Sequence, residues 1–131
     1  MIYHLSSQSA ISRQKFSRDS WTRILGLGMF YGWQPMGTRV PSMTEIHGFD
    51  IDYWDGTYLT NDGQIVVTED ALSLGNALEK SMDDIPDFNL EVNRLDLKTI
   101  TPFEYFAGNG KVQLTDFIKF CRLGSFLILR I

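Results

Sequence analysis

Little in this 131-residue chain is suited to covalent or metal chemistry. It has one cysteine, Cys121, so no internal disulfide can form. Its two histidines, His4 and His47, lie far apart in sequence, and with a single cysteine they are too few for a Cys/His zinc site. The longest apolar runs, GLGMFYGW and FLIL, fall well short of the ~20 residues that span a bilayer, so no membrane partner is expected. The opening residues MIYHLSSQSA show no basic segment followed by a long apolar run, so no signal peptide is expected and a cytoplasmic location is the default.

Nucleotide and nucleophile motifs are missing too. No GxxxxGK[ST] loop occurs. In ILGLGMFYG a dinucleotide fingerprint would need a third glycine where Tyr31 stands, and a strand before it. No serine sits in a GxSxG elbow. Cys121 falls on an apolar helical face, which suits a core residue better than a nucleophile. His47 beside Gly48 reads as a loop histidine. Asp50, Asp52, Asp55, Asn61 and Asp62 form an oxygen-rich run. Counted from Asp50, Asp55 stands at the sixth position and Asn61 at the twelfth, where a calcium loop needs Gly and Glu. Asp62 with Asp70, or Asp52 with Asp55, are available as carboxylate pairs, but nothing in sequence puts either pair in an apolar pocket that would tune it for acid–base work. No cofactor, no metal and no catalytic residue is expected.

What is present is an ordinary globular composition. Apolar residues make up 44% and charged residues 21%, enough to bury a core. One domain over 1–131 is expected, with 1–16 as a possible irregular arm or a short edge hairpin. Charge is unevenly spread. Residues 1–40 carry five Lys/Arg and one acid, 41–100 carry three and thirteen, and 101–131 carry four and two. The acidic middle argues against nucleic acid as a partner.

Ser17 or Ser20 is positioned to cap a first helix over about 18–31, with Trp21, Ile24, Leu25 and Gly28 on one face and Gly32 and Pro35 ending it. Residues 33–52 read as a loop pinned by Trp33, Met36, Val40, Met43, Ile46 and Phe49. Asn61-Asp62-Gly63 is a turn signal, and a hairpin over 57–67 is expected around it. Thr68 is placed to cap a helix to about residue 84, with Glu69 and Asp70 in its first turn and Ala71, Leu74, Leu78, Met82 and Ile85 as its stripe. Residues 87–100 alternate imperfectly and read as a bulged strand or an edge segment. Thr101-Pro102-Phe103-Glu104 is a capping box for a helix of one to two turns. A last helix over about 111–123 buries Leu114, Phe117, Ile118 and Cys121, and SFLILRI follows as a strand or packed tail. The expected fold class is thus α+β, mainly helical: three principal helices with a short β-hairpin and a short extra helix around one core. Trp21, Leu25, Leu74, Leu78, Phe117, Ile118 and Cys121 are its expected centre.

The candidate site is aromatic and amide-rich. Trp33, Trp54, Tyr58, Asn61 and Gln64, with Tyr31 nearby, would line a shallow pocket if the loop folds back, or form an interface patch. They serve equally as core bodies with polar tips.

Trp21 and Leu25, then Tyr31-Gly32-Trp33-x-Pro35-x-Gly37-Thr38, then Trp54-x-Gly56-x-Tyr58-x-x-Asn61-Asp62-Gly63-Gln64, then Asp70-Ala71-x-x-Leu74-x-x-Ala77-Leu78, then Phe117-Ile118-x-Phe120-Cys121-Arg122-x-Gly124-x-Phe126 follow one another along the chain. The string, over roughly 17–126, resembles a family of small uncharacterised bacterial proteins, often cyanobacterial. Gly28 departs from the alanine common there. The resemblance implies no activity and transfers no site residue. The expected function is a non-enzymatic protein–protein interaction module, an adaptor or immunity-type binder using the acidic centre. The alternatives are a small-ligand-binding protein with an aromatic/amide pocket, and an enzyme of unassigned class.

Overall fold

The computed structural model describes residues 1–41, 54–88 and 100–130. Along the chain run β1 (Ile2–Ser7), β2 (Arg13–Ser17), α1 (Arg18–Phe30), β3 (Gln64–Val66), α2 (Thr68–Ser81) with a 3-10 turn at Met82–Asp84, α3 (Pro102–Tyr105), α4 (Asn109–Cys121) and β4 (Phe126–Leu129). The chain is α+β, and among the described residues its organising element is a four-stranded antiparallel sheet in the order β2-β1-β4-β3.

This overturns the expected architecture of three principal helices with a hairpin at 57–67. Residues 57–60 form no strand. Gln64–Val66 pairs instead with β4, Val66 opposite Phe126, and the sheet is completed by a hairpin at the other end of the chain. Residues 2–7 are therefore an interior strand, and of the two readings of the N-terminal segment the edge hairpin is the one that forms, β1 pairing with the edge strand β2. The signal there was weak because β1 and β2 hold only Tyr3, Leu5 and Phe16 as deeply buried residues, set among Ser, Gln, His and basic residues.

The buried face of the sheet carries Tyr3, Leu5, Phe16, Val66, Phe126 and Ile128. The helices pack on that face. Trp21 of α1 stacks with Phe16 at a 6.1 Å centroid separation and meets Phe117 of α4 edge-on at 5.8 Å, while Phe16 and Phe117 meet edge-on at 5.3 Å. The seven residues expected at the centre all lie in this core cluster.

Local chemistry explains the helix ends. Ser17 caps α1 by accepting the Ser20 N–H at 3.2 Å. Thr101 caps α3 by accepting the Glu104 N–H at 3.3 Å, and its hydroxyl donates to the Glu104 carboxylate at 3.0 Å. Thr68 does not cap α2. Val67 occupies the cap position, and the Thr68 hydroxyl accepts the Ser125 N–H at 3.2 Å, tying the helix to the entry of β4. Gly28 lets α1 approach α2: a Cβ there would stand 2.6 Å from Leu74 Cδ1 and 3.3 Å from Trp33 Cε3.

No described helix is long and apolar enough to cross a membrane. The expected loop anchors Met43, Ile46 and Phe49, with His47, Asp50 and Asp52, lie outside the described residues. So does nearly all of the segment read as a strand at 87–100.

Candidate functional site

The segment 57–60 is held by side chains where a hairpin would have used a partner strand. Each of its four carbonyls accepts a side-chain donor. Thr57 O takes the Thr38 hydroxyl at 2.8 Å, and Tyr58 O takes Trp21 Nε1 at 2.7 Å. Leu59 O takes the Tyr3 hydroxyl at 2.7 Å, and Thr60 O takes Gln64 Nε2 at 2.7 Å. With these acceptors filled, no ladder forms.

The neighbouring segment 31–38 docks on this strap. Thr38 N–H donates to Gly56 O at 3.0 Å, and Trp54 Nε1 donates to Thr38 O at 3.0 Å. The two backbones nearly touch at Gly37 and Gly56. Gly56 has φ +74°, and a Cβ on it would lie 3.1 Å from Gly37 Cα, so only glycine fits.

Both segments converge on Asp70, which is fully buried at the third residue of α2. Its Oδ1 accepts Trp33 Nε1 at 2.9 Å and the Met36 N–H at 3.3 Å, and its Oδ2 accepts the Tyr58 hydroxyl. That hydroxyl in turn accepts the Gly37 N–H at 2.9 Å. All of Asp70's donors are neutral, and the positive end of α2 supplies the compensating field. Burial pushes the Tyr58 phenol well above its ordinary value, and the hydrogen bond to Asp70 and the charge of Asp70 push it the same way. Burial likewise raises the Cys121 thiol, and the Asp70 charge adds to it.

The sequence-derived site residues are thus divided. Trp33 and Tyr58 meet edge-on at 5.3 Å and share Asp70. Trp54, half-buried, is spent on Thr38. Gln64 is fully buried and serves its own loop: Nε2 also donates to Thr57 O at 3.2 Å and Thr60 Oγ1 at 2.9 Å, and Oε1 accepts the Asp62 N–H at 2.9 Å. Asn61 is half-buried and makes no side-chain hydrogen bond among the described residues. Trp33 and Tyr58 therefore line one groove, and Trp54, Asn61 and Gln64 do not. Asp70 was missed as the hub. Its signal was its place four residues before Leu74 and eight before Leu78, on the apolar stripe itself. Of the acidic run, Asp55 accepts the Thr57 N–H at 3.1 Å and turns the chain, and Asp62 is exposed.

Beside Trp33 and Tyr58 opens a groove of about 330 Å³. Thr22, Leu25 and Met29 of α1 line it, with Trp33 and Pro35 from one segment and Thr57, Tyr58 and Leu59 from the other. Its polar groups are occupied. The Thr22 hydroxyl donates to Arg18 O at 2.9 Å, the Thr57 hydroxyl accepts the Leu59 N–H at 3.0 Å, and the Tyr58 hydroxyl faces inward to Asp70. Met29 is 52% exposed and Leu59 44% exposed.

No family model, curated protein or solved structure matches the chain.

Proposed function

We propose that this chain is a non-enzymatic protein–protein interaction module whose groove beside Trp33 and Tyr58 receives an apolar anchor from a partner protein. The observation that carries the reading is the groove itself: preformed by the strapped 57–60 segment, apolar in lining, with its hydroxyls already bonded elsewhere. An apolar recess rimmed by an adaptable methionine suits a hydrophobic hot spot. Two groups with chemical potential are sealed. Asp70 has no exposed surface and Cys121 is fully buried with a raised thiol pKa, which favours a binding role over a catalytic one. The acidic balance of the chain disfavours nucleic acid as the partner. A cytoplasmic setting is part of the proposal.

The alternative, a small-ligand-binding protein, draws support from the groove's volume, at the lower end of the range of ligand pockets. Its ligand would be apolar, because Gln64 and Trp54 are engaged elsewhere.

Affinity capture from native lysate with wild-type, Met29→Glu and Leu59→Glu proteins, and with Phe88→Glu as a control at an exposed residue outside the groove, tests the reading. A stoichiometric protein retained by wild type and Phe88→Glu but lost by both groove variants is expected. Equal retention by all four proteins sinks it. A thermal shift of the wild type by the low-molecular-weight fraction alone, absent in the groove variants, transfers the groove to the ligand reading.

A further inference from the structure

The two edges of the sheet are finished differently. At β3 the chain closes its own edge: Arg39 N–H donates to Ile65 O at 2.8 Å and Ile65 N–H to Arg39 O at 3.2 Å. At β2 no described residue pairs with the outer side.

The phase of the ladder identifies the backbone groups that face outward. Ser7 N–H donates to Ser12 O at 3.0 Å, and the same register sets Leu5 opposite Gln14 and Tyr3 opposite Phe16. Those alternate pairs are the hydrogen-bonded ones, so the N–H and C=O of Arg13 and Lys15 point away from β1. The other side of β1 agrees: Gln8 N–H donates to Ser125 O at 3.0 Å, placing the even-numbered residues of β1 in the ladder with β4. Arg13 and Lys15 are also exposed, as is Arg18 just beyond the strand, and among the described residues none of the three makes an ion pair. The nearby acid, Asp19, is paired with Arg23 at 3.3 Å.

We propose that the outer edge of β2 is a docking edge for an extended acidic segment of a partner protein, which adds to the sheet as a fifth strand. The backbone groups of Arg13 and Lys15 supply the ladder, and their side chains select acidic residues at alternate positions of the incoming strand. Charge decides the occupant. A second copy meeting β2 to β2 would bring Arg13 and Lys15 of both chains together, which is how a cationic edge prevents self-pairing. The same charges favour an acidic strand. No groove residue takes part, so this surface stands or falls separately from the groove.

The probe is an array of octapeptides with Glu at alternate positions and Val, Ile or Thr between them, each made also with N-methylated backbone amides. Binding to the whole chain is read by fluorescence anisotropy. Saturable binding of unmethylated members, weakened by salt and lost on methylation, is expected. Lys15→Pro removes an outward N–H without touching the ladder to β1, so the fold is retained and binding falls about tenfold. Arg13→Glu with Lys15→Glu abolishes binding to the acidic array and confers it toward the Lys-substituted counterpart. In the wild-type complex the Arg13 and Lys15 amides become protected from hydrogen exchange. Binding unaffected by methylation, unchanged exchange at those two amides, or an array without a binder overturns the proposal.

Discussion

The Tyr58 hydroxyl donates to Asp70 while accepting the Gly37 N–H, so one phenolic oxygen joins the buried carboxylate in the first turn of α2 to the segment that carries Trp33. Two stretches separated in sequence are thereby fastened to one carboxylate, and the wall of the groove is set by that fastening.

Removing the hub should therefore cost more than removing any one arm. Tyr58→Phe leaves the Gly37 N–H without its acceptor and should lower stability by about 2 kcal/mol. Asp70→Ala strands the donors of Trp33, Met36 and Tyr58 together and should cost about 4 kcal/mol. Urea unfolding of both single variants and the double variant measures the coupling. A double-variant loss smaller than the sum by about 1 kcal/mol or more is expected, and simple additivity would show the network to be incidental.

The two glycines of α1 should respond in opposite directions. At Gly26 an added Cβ meets nothing within 4 Å, so Gly26→Ala should stabilise by about 0.5–1 kcal/mol through helix propensity. At Gly28 the added Cβ would press on Leu74 and Trp33, and the overpacking cost of about 1–3 kcal/mol outweighs that gain. Thermal melts of the two variants should move to opposite sides of wild type.

Stability should decline on the alkaline side. Cys121 and Tyr58 both hold their protons more tightly in the folded chain than in the unfolded one, where they titrate near 9 and 10. Their contribution is complete below those values and is lost as pH rises through the folded ones, because there the unfolded chain has already released protons that the folded chain keeps. Urea midpoints from pH 7 to 11 should fall first above about 9. Cys121→Ala should flatten the first part of that decline, and Tyr58→Phe should flatten in part the decline above about 10, to which the raised Tyr3 and Tyr31 phenols also contribute. A midpoint independent of pH across this range would contradict the assignment of both groups.

The helical segments were readable because their signals are local. Trp21, Ile24 and Leu25 repeat at helical spacing, Ser17 and Thr101 cap within three residues, and Leu114, Phe117, Ile118 and Cys121 share one face. The same logic went wrong at Thr68, where a nearby backbone N–H from Ser125 claims the hydroxyl. It also went wrong at 57–67, where a good turn sequence suggested a hairpin that four side-chain donors replace.

Of the aromatic residues grouped from the sequence, Trp33 and Tyr58 line the groove, whereas Trp54 is bonded to Thr38. The amides, Asn61 and Gln64, do not line the groove, and Gln64 satisfies its own loop. By itself, then, the sequence determined where the helices among the described residues form, which residues they bury, and that no internal disulfide can form. Which strands pair, that residues 2–7 lie inside a sheet, and that Asp70 is a buried hub were decided only by the tertiary structure. The reason is physical: strand partners and buried polar partners are chosen by hydrogen-bond groups far apart in the chain. A residue such as Asp70 becomes an acceptor for Trp33, Met36 and Tyr58 only once α2, the 31–38 segment and the strap have packed.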